Sequence, residues 1–350
     1  MHKVSFILPA YKRRFLKEAV DSILAQTCRD FELVIVDDKS PEGLYEVVKE
    51  YPWESSFEAL PDGGRKWLVD GIPVRYYQNA ENVGGKDLVA AWNKALSYAN
   101  GEWVVCAGDD DVYLPRFAEK LVTMMDKYPH VDAFHCRIAY INSVGDVERL
   151  GAPRAEYESV IQMIDHSCVT RKDQRIPDFM YRRSRLLEIG GYVQSPRAWY
   201  SDIMTAIAMS SFGGAVCCPE ILFKWRQSND NISSRSDDVD DKIEAGVQFI
   251  EWLRSLLHRV TIGSYDDELT FKFLEKGVEA ECMRSFYYYL AKLRKSEALQ
   301  VVERSRLPQD NKRTLQSLIR RRGHSITAIL HRILARIRVK LQNINVLSRQ

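Results

Sequence analysis

The first 107 residues alternate between short apolar runs and segments in which apolar residues recur every three or four positions. Short apolar runs are typical of buried strands, and the longer period is typical of amphipathic helices. Residues 52–72 are largely polar and are expected to form an irregular excursion. Because the apolar runs do not alternate with polar residues, the order of elements predicts an α/β fold with a mostly parallel sheet flanked by helices. The pattern predicts strands at 4–8, 31–36, 74–77 and 103–107, with helices at 15–24, 44–51 and 88–96 between them.

The second half has a less regular pattern, with short strands and helices predicted as far as about residue 226. One strand is expected over 176–181, and one helix over 203–209. From about residue 237 onward the pattern is helical, and the polar stretch at 233–236 is the best candidate for a domain boundary. We therefore predict a first domain of residues 1–235 and a C-terminal α-helical extension of residues 236–350.

The composition is that of a soluble globular protein, with 350 residues of which 45% are hydrophobic and 28% charged. These values exclude a disordered chain and a small disulfide-stapled scaffold. No run reaches the roughly 18 apolar residues of a transmembrane helix, and the N-terminus lacks the pattern of a signal peptide. The seven cysteines form no metal-type CxxC pair, so reduced thiols and a cytoplasmic location are expected.

The net charge of +2 is an average over two unlike parts. No Asp or Glu follows Asp310, whereas that tail, about residues 311–350, carries ten Lys or Arg. Residues 1–310 hold 40 basic and 48 acidic residues, so their net charge is −8. Such asymmetry is typical of proteins whose basic part meets an anionic partner.

An apolar stripe with helical period runs through residues 326–341 of this tail. A basic amphipathic helix without acidic residues predicts in-plane attachment to an anionic membrane surface. The pattern equally favours an alternative, in which the stripe packs on its own acidic domain or on the partner of a homodimer. Nucleic acid binding would rest on the tail alone, and the acidic charge of residues 1–310 argues against it.

Two acidic clusters follow predicted strands: Asp37-Asp38 after the second, and Asp109-Asp110-Asp111 after the fourth. Ligands bind at the carboxyl ends of parallel strands. Adjacent carboxylates there suit Mg²⁺ or Mn²⁺, and one carboxylate can accept a hydrogen bond from a nucleobase imide or a ribose hydroxyl. The alternative for both clusters is a turn whose aspartates cap the next helix.

An ordered set of motifs over roughly residues 3–235 resembles the family-2 glycosyltransferases, which are inverting enzymes with a GT-A fold. Two departures from the family pattern are Gly108, where many relatives have Asp, and Ser201, where many have Glu. The motifs that carry the resemblance are Val4–Tyr11 with its P-x-Y turn, Phe31–Ser40, Asn82–Gly85, Gly108–Pro115, Tyr181–Ser184, Gly190–Tyr192, Ser201-Asp202 and Trp225-Arg226.

The resemblance implies a nucleotide-sugar donor and a divalent cation, Mn²⁺ or Mg²⁺. It implies that Asp110 ligates this metal, that Asp109 lies near the ribose, and that Asp202 is the general base for the acceptor hydroxyl. The alternative for Asp202 is that it caps the helix over 203–209.

The same resemblance places the donor's base near the turn that ends the first strand. Pro9 and Ala10 would border the substrate, Tyr11 would stack on the base, and Asp38 would accept its imide N–H. An imide suits uracil or thymine, so a UDP- or dTDP-sugar is expected. The alternative for Tyr11 is a core aromatic position.

Lys86 or Arg226 would add positive charge near the leaving group. For Lys86, an ordinary surface charge is the equal alternative. The acceptor would be a glycan or a lipid-linked molecule, and the location cytoplasmic or peripheral on the inner face of the membrane.

Two other functions agree less well with the sequence. A sugar-nucleotide nucleotidylyltransferase would need a Gly-rich G-x-G-T-R loop, where this chain has Pro9-Ala10-Tyr11-Lys12. A non-catalytic nucleotide-sugar-binding subunit is disfavoured by the presence of Asp202 together with Asp109 and Asp110.

Overall fold

The computed structural model describes residues 3–227, 238–259 and 265–321. The chain divides into two compact units, Met1–Ser234 and Arg235–Gln350. In the described residues the strands are β1 (Val4–Ala10), β2 (Phe31–Asp37), β3 (Glu58–Ala59), β4 (Arg65–Val69), β5 (Ile72–Gln78), β6 (Trp103–Cys106), β7 (Val112–Tyr113), β8 (Ala133–Ile141), β9 (Val147–Leu150), β10 (Tyr157–Glu158), β11 (Phe179–Arg182) and β12 (Ala215–Arg226). The helices are α1 (Leu16–Leu24), α2 (Tyr45–Val48), α3 (Leu88–Ser97), α4 (Phe117–Lys127), α5 (Val160–Ile164), α6 (Arg183–Glu188), α7 (Ser201–Ser210), α8 (Val239–Arg259), α9 (Tyr265–Leu290), α10 (Lys295–Arg304) and α11 (Gln309–Arg320).

All twelve strands belong to one sheet, with the order β10-β12-β8-β11-β6-β1-β2-β5-β4-β3, while β7 pairs with β12 and β9 with β8. The four strands β6, β1, β2 and β5 pair in parallel. Ala10 pairs with Asp37, and Asp37 pairs with Gln78, so the carboxyl ends of β1, β2 and β5 lie at the same edge. The predicted α/β fold is confirmed.

The other half of the sheet is mixed. Strand β11 runs antiparallel between β6 and β8, and the long strand β12 runs parallel to β8. The last residue of β12, Arg226, pairs with Ile141, and its backbone N–H donates to the Oδ1 of Asp111 at 2.9 Å. This strand therefore brings residues from far along the chain to the loop that follows β6.

Apolar burial on both faces of the sheet holds the first unit together. Phe6 and Leu8 of β1 share one buried cluster with residues of α1 and α4. Ile7, on the opposite face of the same strand, is also fully buried, and α3 contacts β1, β2 and β6. A strand covered on both faces reads as a continuous apolar run, which is why the sequence pattern located these strands.

The expectation of an irregular excursion at 52–72 is wrong for its second half. Residues Arg65–Val69 form β4, which pairs antiparallel with β5 and buries Trp67. Asp70 and Gly71 both adopt positive φ, 48° and 83°, as the tight turn of a two-residue hairpin requires. The Asp-Gly pair was the available signal, and the polar residues around it hid the short strand.

The strand predicted over 176–181 begins three residues later in the structure. Residues Ile176–Asp178 form a 3₁₀ turn, and β11 starts at Phe179. Pro177 has no N–H to donate to a ladder, which favours a turn over a central strand at that position.

The second unit is helical in its described residues, as predicted, with α9 packed against α8 and α11. Ion pairs such as Arg306 Nη1 to Glu244 Oε1, at 2.6 Å, link its elements. No helix among the described residues is long and apolar enough to cross a membrane. The predicted amphipathic helix of the basic tail lies outside the described residues.

Candidate active site

The turn after β2 is fixed by its two carboxylates. Asp37 accepts hydrogen bonds from the Ser40 backbone N–H and from the side chains of Tyr76 and Gln78, at 2.7 to 2.9 Å. All of its partners belong to the protein, and Asp37 is fully buried. Asp37 therefore holds β2, β5 and the following turn in register.

Asp38 ties the same turn to the loop before α3. Its Oδ1 accepts from the Asn79 side chain at 2.7 Å and the Val83 N–H at 2.9 Å, and its Oδ2 accepts from the Gly84 N–H at 2.6 Å. A Cβ on Gly84 would lie 2.9 Å from that Oδ2, so the contact needs glycine. The carboxylate that was predicted to receive a base imide thus already orders the 79–84 loop.

The run after β6 meets the turn after β1. Asp109 Oδ2 accepts from the backbone N–H groups of Tyr11 and Lys12, each at 2.7 Å. The Tyr11 carbonyl in turn accepts from the Ser40 hydroxyl at 2.5 Å. The turns after β1, β2 and β6 therefore form one connected edge.

Lys12 supplies the positive charge inside this acidic run. Its Nζ lies 2.9 Å from Asp110 Oδ2, and both side chains are partly exposed, Lys12 more than Asp110. Burial lowers the pKa of Lys12, but the charges of Asp110, Asp109 and Asp111 outweigh that effect and leave it raised. Burial, with the charge of Asp110 added, raises the pKa of Asp109 to about 6, although Lys12 opposes the change. Among the described residues, Lys12 is thus the positively charged partner of Asp109 and Asp110.

Asp111 does not join the other two carboxylates. Its Oδ1 accepts from the Arg226 backbone N–H, and a Cβ added at Gly108 would lie 2.5 Å from its Oδ2. Asp111 is buried, and burial raises its pKa well above the ordinary value, with the Asp110 charge adding to the effect. Gly108 thus leaves the space that the Asp111 side chain occupies, which accounts for the absence of an aspartate at position 108.

Arg226 packs beneath the run. Its guanidinium donates to the Asp110 carbonyl at 2.8 Å and to Glu18 Oε2 at 2.6 Å, and it lies 4.1 Å from the centre of the Phe15 ring. The side chain is 1% exposed. This geometry favours a role in holding the 109–111 loop in place.

Asp202 lies in the first turn of α7, and the helix cap is Tyr200 rather than Asp202. Its Oδ1 accepts a hydrogen bond from the neighbouring Ile203 N–H, at 2.9 Å. Burial raises the pKa of Asp202, and Arg175 opposes that rise. The residues just before it, Arg197 and Ala198, have positive φ of 52° and 60°. Backbone strain of this kind is often found at functional sites.

The remaining predicted site residues differ in their position and in their exposure to solvent. Pro9 and Ala10 end β1 beside Val36 and Asp37. Tyr11 is 40% exposed, so it is not a core aromatic. Lys86 is 75% exposed and pairs with Glu81 at 2.7 Å. This geometry favours the alternative that Lys86 is an ordinary surface charge.

Sequence reasoning missed Lys12. It follows directly after the P-x-Y turn, but in sequence a lysine there resembles any surface charge, and its partner lies 98 positions away.

The acidic run fits a cation that takes most of its ligands from phosphate and water. Among the described residues no group of three or more Asp, Glu, His or Cys could hold a metal ion. Asp110 and Asp109 each have a second carboxylate oxygen to which no hydrogen bond is made in this part of the chain. Mg²⁺ and Mn²⁺ at nucleotide phosphates need only one or two protein carboxylates, and these two residues satisfy that requirement.

Comparison with solved structures shows the fold. TarS of S. aureus, residues 1–349, aligns with a TM-score of 0.54 and 15% identity over 92% of this chain and 93% of that one. The same protein has been solved with UDP-GlcNAc. The mannosyltransferase PcManGT of Pyrobaculum calidifontis, in complex with GDP-Man and Mn²⁺, aligns with a TM-score of 0.52 and 18% identity over 97% and 86% of the two chains. The architecture is thus the GT-A-like α/β fold with a C-terminal helical region.

Comparison of sequences gives the family. The putative glycosyltransferase EpsE of Bacillus subtilis is 32% identical over 129 residues, which is 37% of this chain and 40% of that protein. An uncharacterized glycosyltransferase of Methanocaldococcus jannaschii is 26% identical over 147 residues, 41% and 44% of the two chains. The matches thus span less than half the length of these relatives. The model described as "Glycosyl transferase family 2" matches residues 5–198, more than half of the chain. This chain therefore belongs to glycosyl transferase family 2.

Proposed function

We propose that this protein transfers a sugar, with inversion, from a nucleoside-diphosphate sugar to a hydroxyl group of a glycan or lipid-linked acceptor. The observation that carries the proposal is the edge at which Asp109 clamps the Tyr11-Lys12 turn, in a chain that belongs to a family of glycosyl transferases. Solved neighbours of the same fold hold UDP-GlcNAc or GDP-Man, which supports a nucleotide-sugar donor.

The proposed step is a single displacement at the anomeric carbon. Asp202 accepts the proton of the acceptor hydroxyl while that oxygen forms the new bond to the anomeric carbon. The bond from that carbon to the phosphate oxygen breaks, and its electron pair leaves with the nucleoside diphosphate. A carboxylate whose pKa is raised by burial is a stronger base than an ordinary aspartate, which suits this role.

Asp110, with Asp109 beside it, would hold the divalent cation. That ion would neutralise charge on the departing diphosphate. Lys12 lies within reach of the same carboxylates, so we assign it, rather than the exposed Lys86, the task of contacting the diphosphate. Once Asp110 binds a cation, the Lys12 ammonium is available for phosphate.

Tyr11 is exposed at the edge and is proposed to stack on the base, with Pro9 and Ala10 bordering the nucleotide. Asp38 keeps the 79–84 loop in place, and its carboxylate retains room for one further donor. A uracil or thymine imide fits that position. We therefore propose UDP- or dTDP-sugars as donors.

Asp202→Asn tests the proposal. The amide has the same shape but accepts no proton, so turnover should fall by at least about 100-fold. Binding of UDP with Mn²⁺, measured by thermal shift, should stay at the wild-type level because the donor site is unaltered. Asp146→Asn, at an exposed loop residue, is the matched control. Unchanged turnover of Asp202→Asn would contradict the base role, and a wild-type protein that binds no nucleoside diphosphate with Mn²⁺ would contradict the function itself.

A further inference from the structure

A cluster of Arg175, Trp225 and Tyr140 is not used by the proposed step. The guanidinium carbon of Arg175 lies 4.7 Å from the centre of the Trp225 ring and 5.5 Å from that of Tyr140. Those two rings meet edge to face at 5.4 Å. Stacking on aromatic faces restricts a guanidinium to one orientation without neutralising its charge.

The donors of Arg175 are mostly unused. An arginine side chain has five N–H donors, and Arg175 makes a single side-chain hydrogen bond within the described residues, from Nη1 to the Gln174 carbonyl at 2.6 Å. Arg175 is only partly exposed. A half-buried guanidinium with free donors is suited to bidentate binding of a carboxylate or phosphate group.

The charge of Arg175 acts on the carboxylates of Asp173 and Asp178, but among the described residues neither of them forms a side-chain ion pair with it. Asp173 is engaged by Arg149, with Nη1 and Nη2 at 2.7 and 3.0 Å, and by the Tyr140 hydroxyl. Burial raises the pKa of Asp178 well above the ordinary value, which favours its neutral form. The charge of Arg175 does reach Asp202, whose pKa it lowers.

Two observations relate Arg175 to the candidate site. Its charge lowers the pKa of Asp202, the residue assigned to the acceptor hydroxyl, whereas Lys12 pairs with the acidic run. Trp225, on which Arg175 stacks, is followed in β12 by Arg226, whose backbone N–H donates to Asp111. The stacked guanidinium is therefore close enough to the site for its charge to act on Asp202.

We propose that Arg175, held against Trp225 and Tyr140, is an oxyanion subsite for the acceptor, which therefore carries a phosphate or carboxylate group near the hydroxyl that is glycosylated. The subsite rests on the proposed function, because it takes Asp202 as the acceptor-side base. A bound oxyanion would also cancel part of the effect of Arg175 on Asp202, so the base becomes stronger when the acceptor is in place.

The test uses the full chain with its donor site saturated by UDP and Mn²⁺. Glucose 6-phosphate and glucose are titrated, and binding is followed by nuclear magnetic resonance line broadening. The phosphate probe should bind the wild type about tenfold or more tightly than it binds Arg175→Met, because a charge-assisted bidentate contact is lost. Glucose should bind both proteins equally weakly.

Arg149→Met is the matched control, since it removes the same charge beside the same Tyr140 from an arginine that Asp173 already engages. It should keep the wild-type affinity for the phosphate probe. Arg175→Lys keeps the positive charge but loses the two parallel N–H donors of the guanidinium, so its affinity for the phosphate probe should be intermediate. An intermediate value would show that the loss in Arg175→Met is a loss of binding and not a folding defect.

Three results would overturn the subsite: equal affinity of wild type and Arg175→Met for glucose 6-phosphate, an equal loss in Arg149→Met, or a loss of UDP affinity in Arg175→Met. The last result would assign the oxyanion to the donor's diphosphate. Failure of the wild type to bind UDP in the same samples would count against the proposed function. Arg175-dependent phosphate binding is measured separately, so the two failures can be told apart.

Discussion

Two acidic turns stand side by side at the same edge of the sheet, after β2 and after β6, and they do different things with the same residue type. In the first, Asp37 and Asp38 together receive six hydrogen bonds from protein donors. In the second, Asp109 and Asp111 receive backbone N–H groups, and Asp110 meets the ammonium of Lys12. The donors to the first turn are neutral dipoles, whereas the second turn also holds a lysine ammonium against Asp110. Equal acidity in sequence therefore does not mean equal function.

The largest contrast is expected between Asp38→Ala and Asp110→Ala. The first substitution leaves three donors without their acceptor, one of them buried and two partly buried, so the free energy of unfolding should fall by about 3 kcal/mol. The second removes a partly exposed ion pair and should change that free energy by about 1 kcal/mol or less. Only Asp110→Ala should abolish the Mn²⁺-dependent thermal shift with UDP while the fold is kept. Urea unfolding and thermal shift check both, and equal destabilisation of the two variants would remove the distinction between the turns.

The second turn should also make the free energy of unfolding depend on pH. Because burial and Asp110 raise the pKa of Asp109 to about 6, from 3.8, the folded protein holds this proton more tightly than the unfolded chain does. The resulting stabilisation is complete below pH 3.8 and is lost as the pH rises through about 6. Asp109→Asn should therefore reduce the loss of stability between pH 4 and pH 7, by an amount on the order of 2 kcal/mol in metal-free protein.

Unfolding curves at several pH values measure this effect. Asp126→Asn, on the exposed side of α4, is the control and should leave the pH dependence as it is. An Asp109→Asn protein with the wild-type pH profile would show that the pKa of Asp109 is not raised in the folded protein.

The smallest effect on stability is expected from the two lysines. Lys12→Met removes the ion pair with Asp110 and should lower the free energy of unfolding by about 1 kcal/mol. It should also weaken UDP binding in the presence of Mn²⁺, as calorimetry would show. Lys86→Met, whose partner Glu81 is solvent-exposed, should leave UDP binding unaltered. If Lys86→Met weakened UDP binding and Lys12→Met did not, the assignment of charge at the edge would have to be reversed.

The parts of the fold that sequence could predict are those where burial is uniform. Residues of β1, β2 and β6 are covered on both faces, so their apolar runs marked the strands, and the acidic clusters after two of them followed directly. The hairpin of β4 and β5 was missed because β4 is covered on one side only and its partly exposed residues read as loop. A local pattern of apolar residues indicates which residues are buried, and too few residues of β4 are buried for such a pattern to appear.

The parts of the site that sequence could not predict depend on contacts between distant residues. Nothing in the sequence joins Lys12 to Asp110, or Arg175 to Trp225, since each pair is separated by about 50 to 100 positions and meets only through the sheet order. The place of Asp202 at the beginning of a helix was predictable from the pattern of α7. Its burial, and hence its altered basicity, required the structure.

Gly108 has a consequence for how this sequence can evolve. The space beside its Cα is taken by the Asp111 carboxylate, so a side chain at position 108 requires that carboxylate to move. Because the Asp111 Oδ1 accepts from the Arg226 backbone N–H, such a movement would disturb the contact between the acidic loop and β12. The effects of substitutions at positions 108 and 111 on stability should therefore be non-additive.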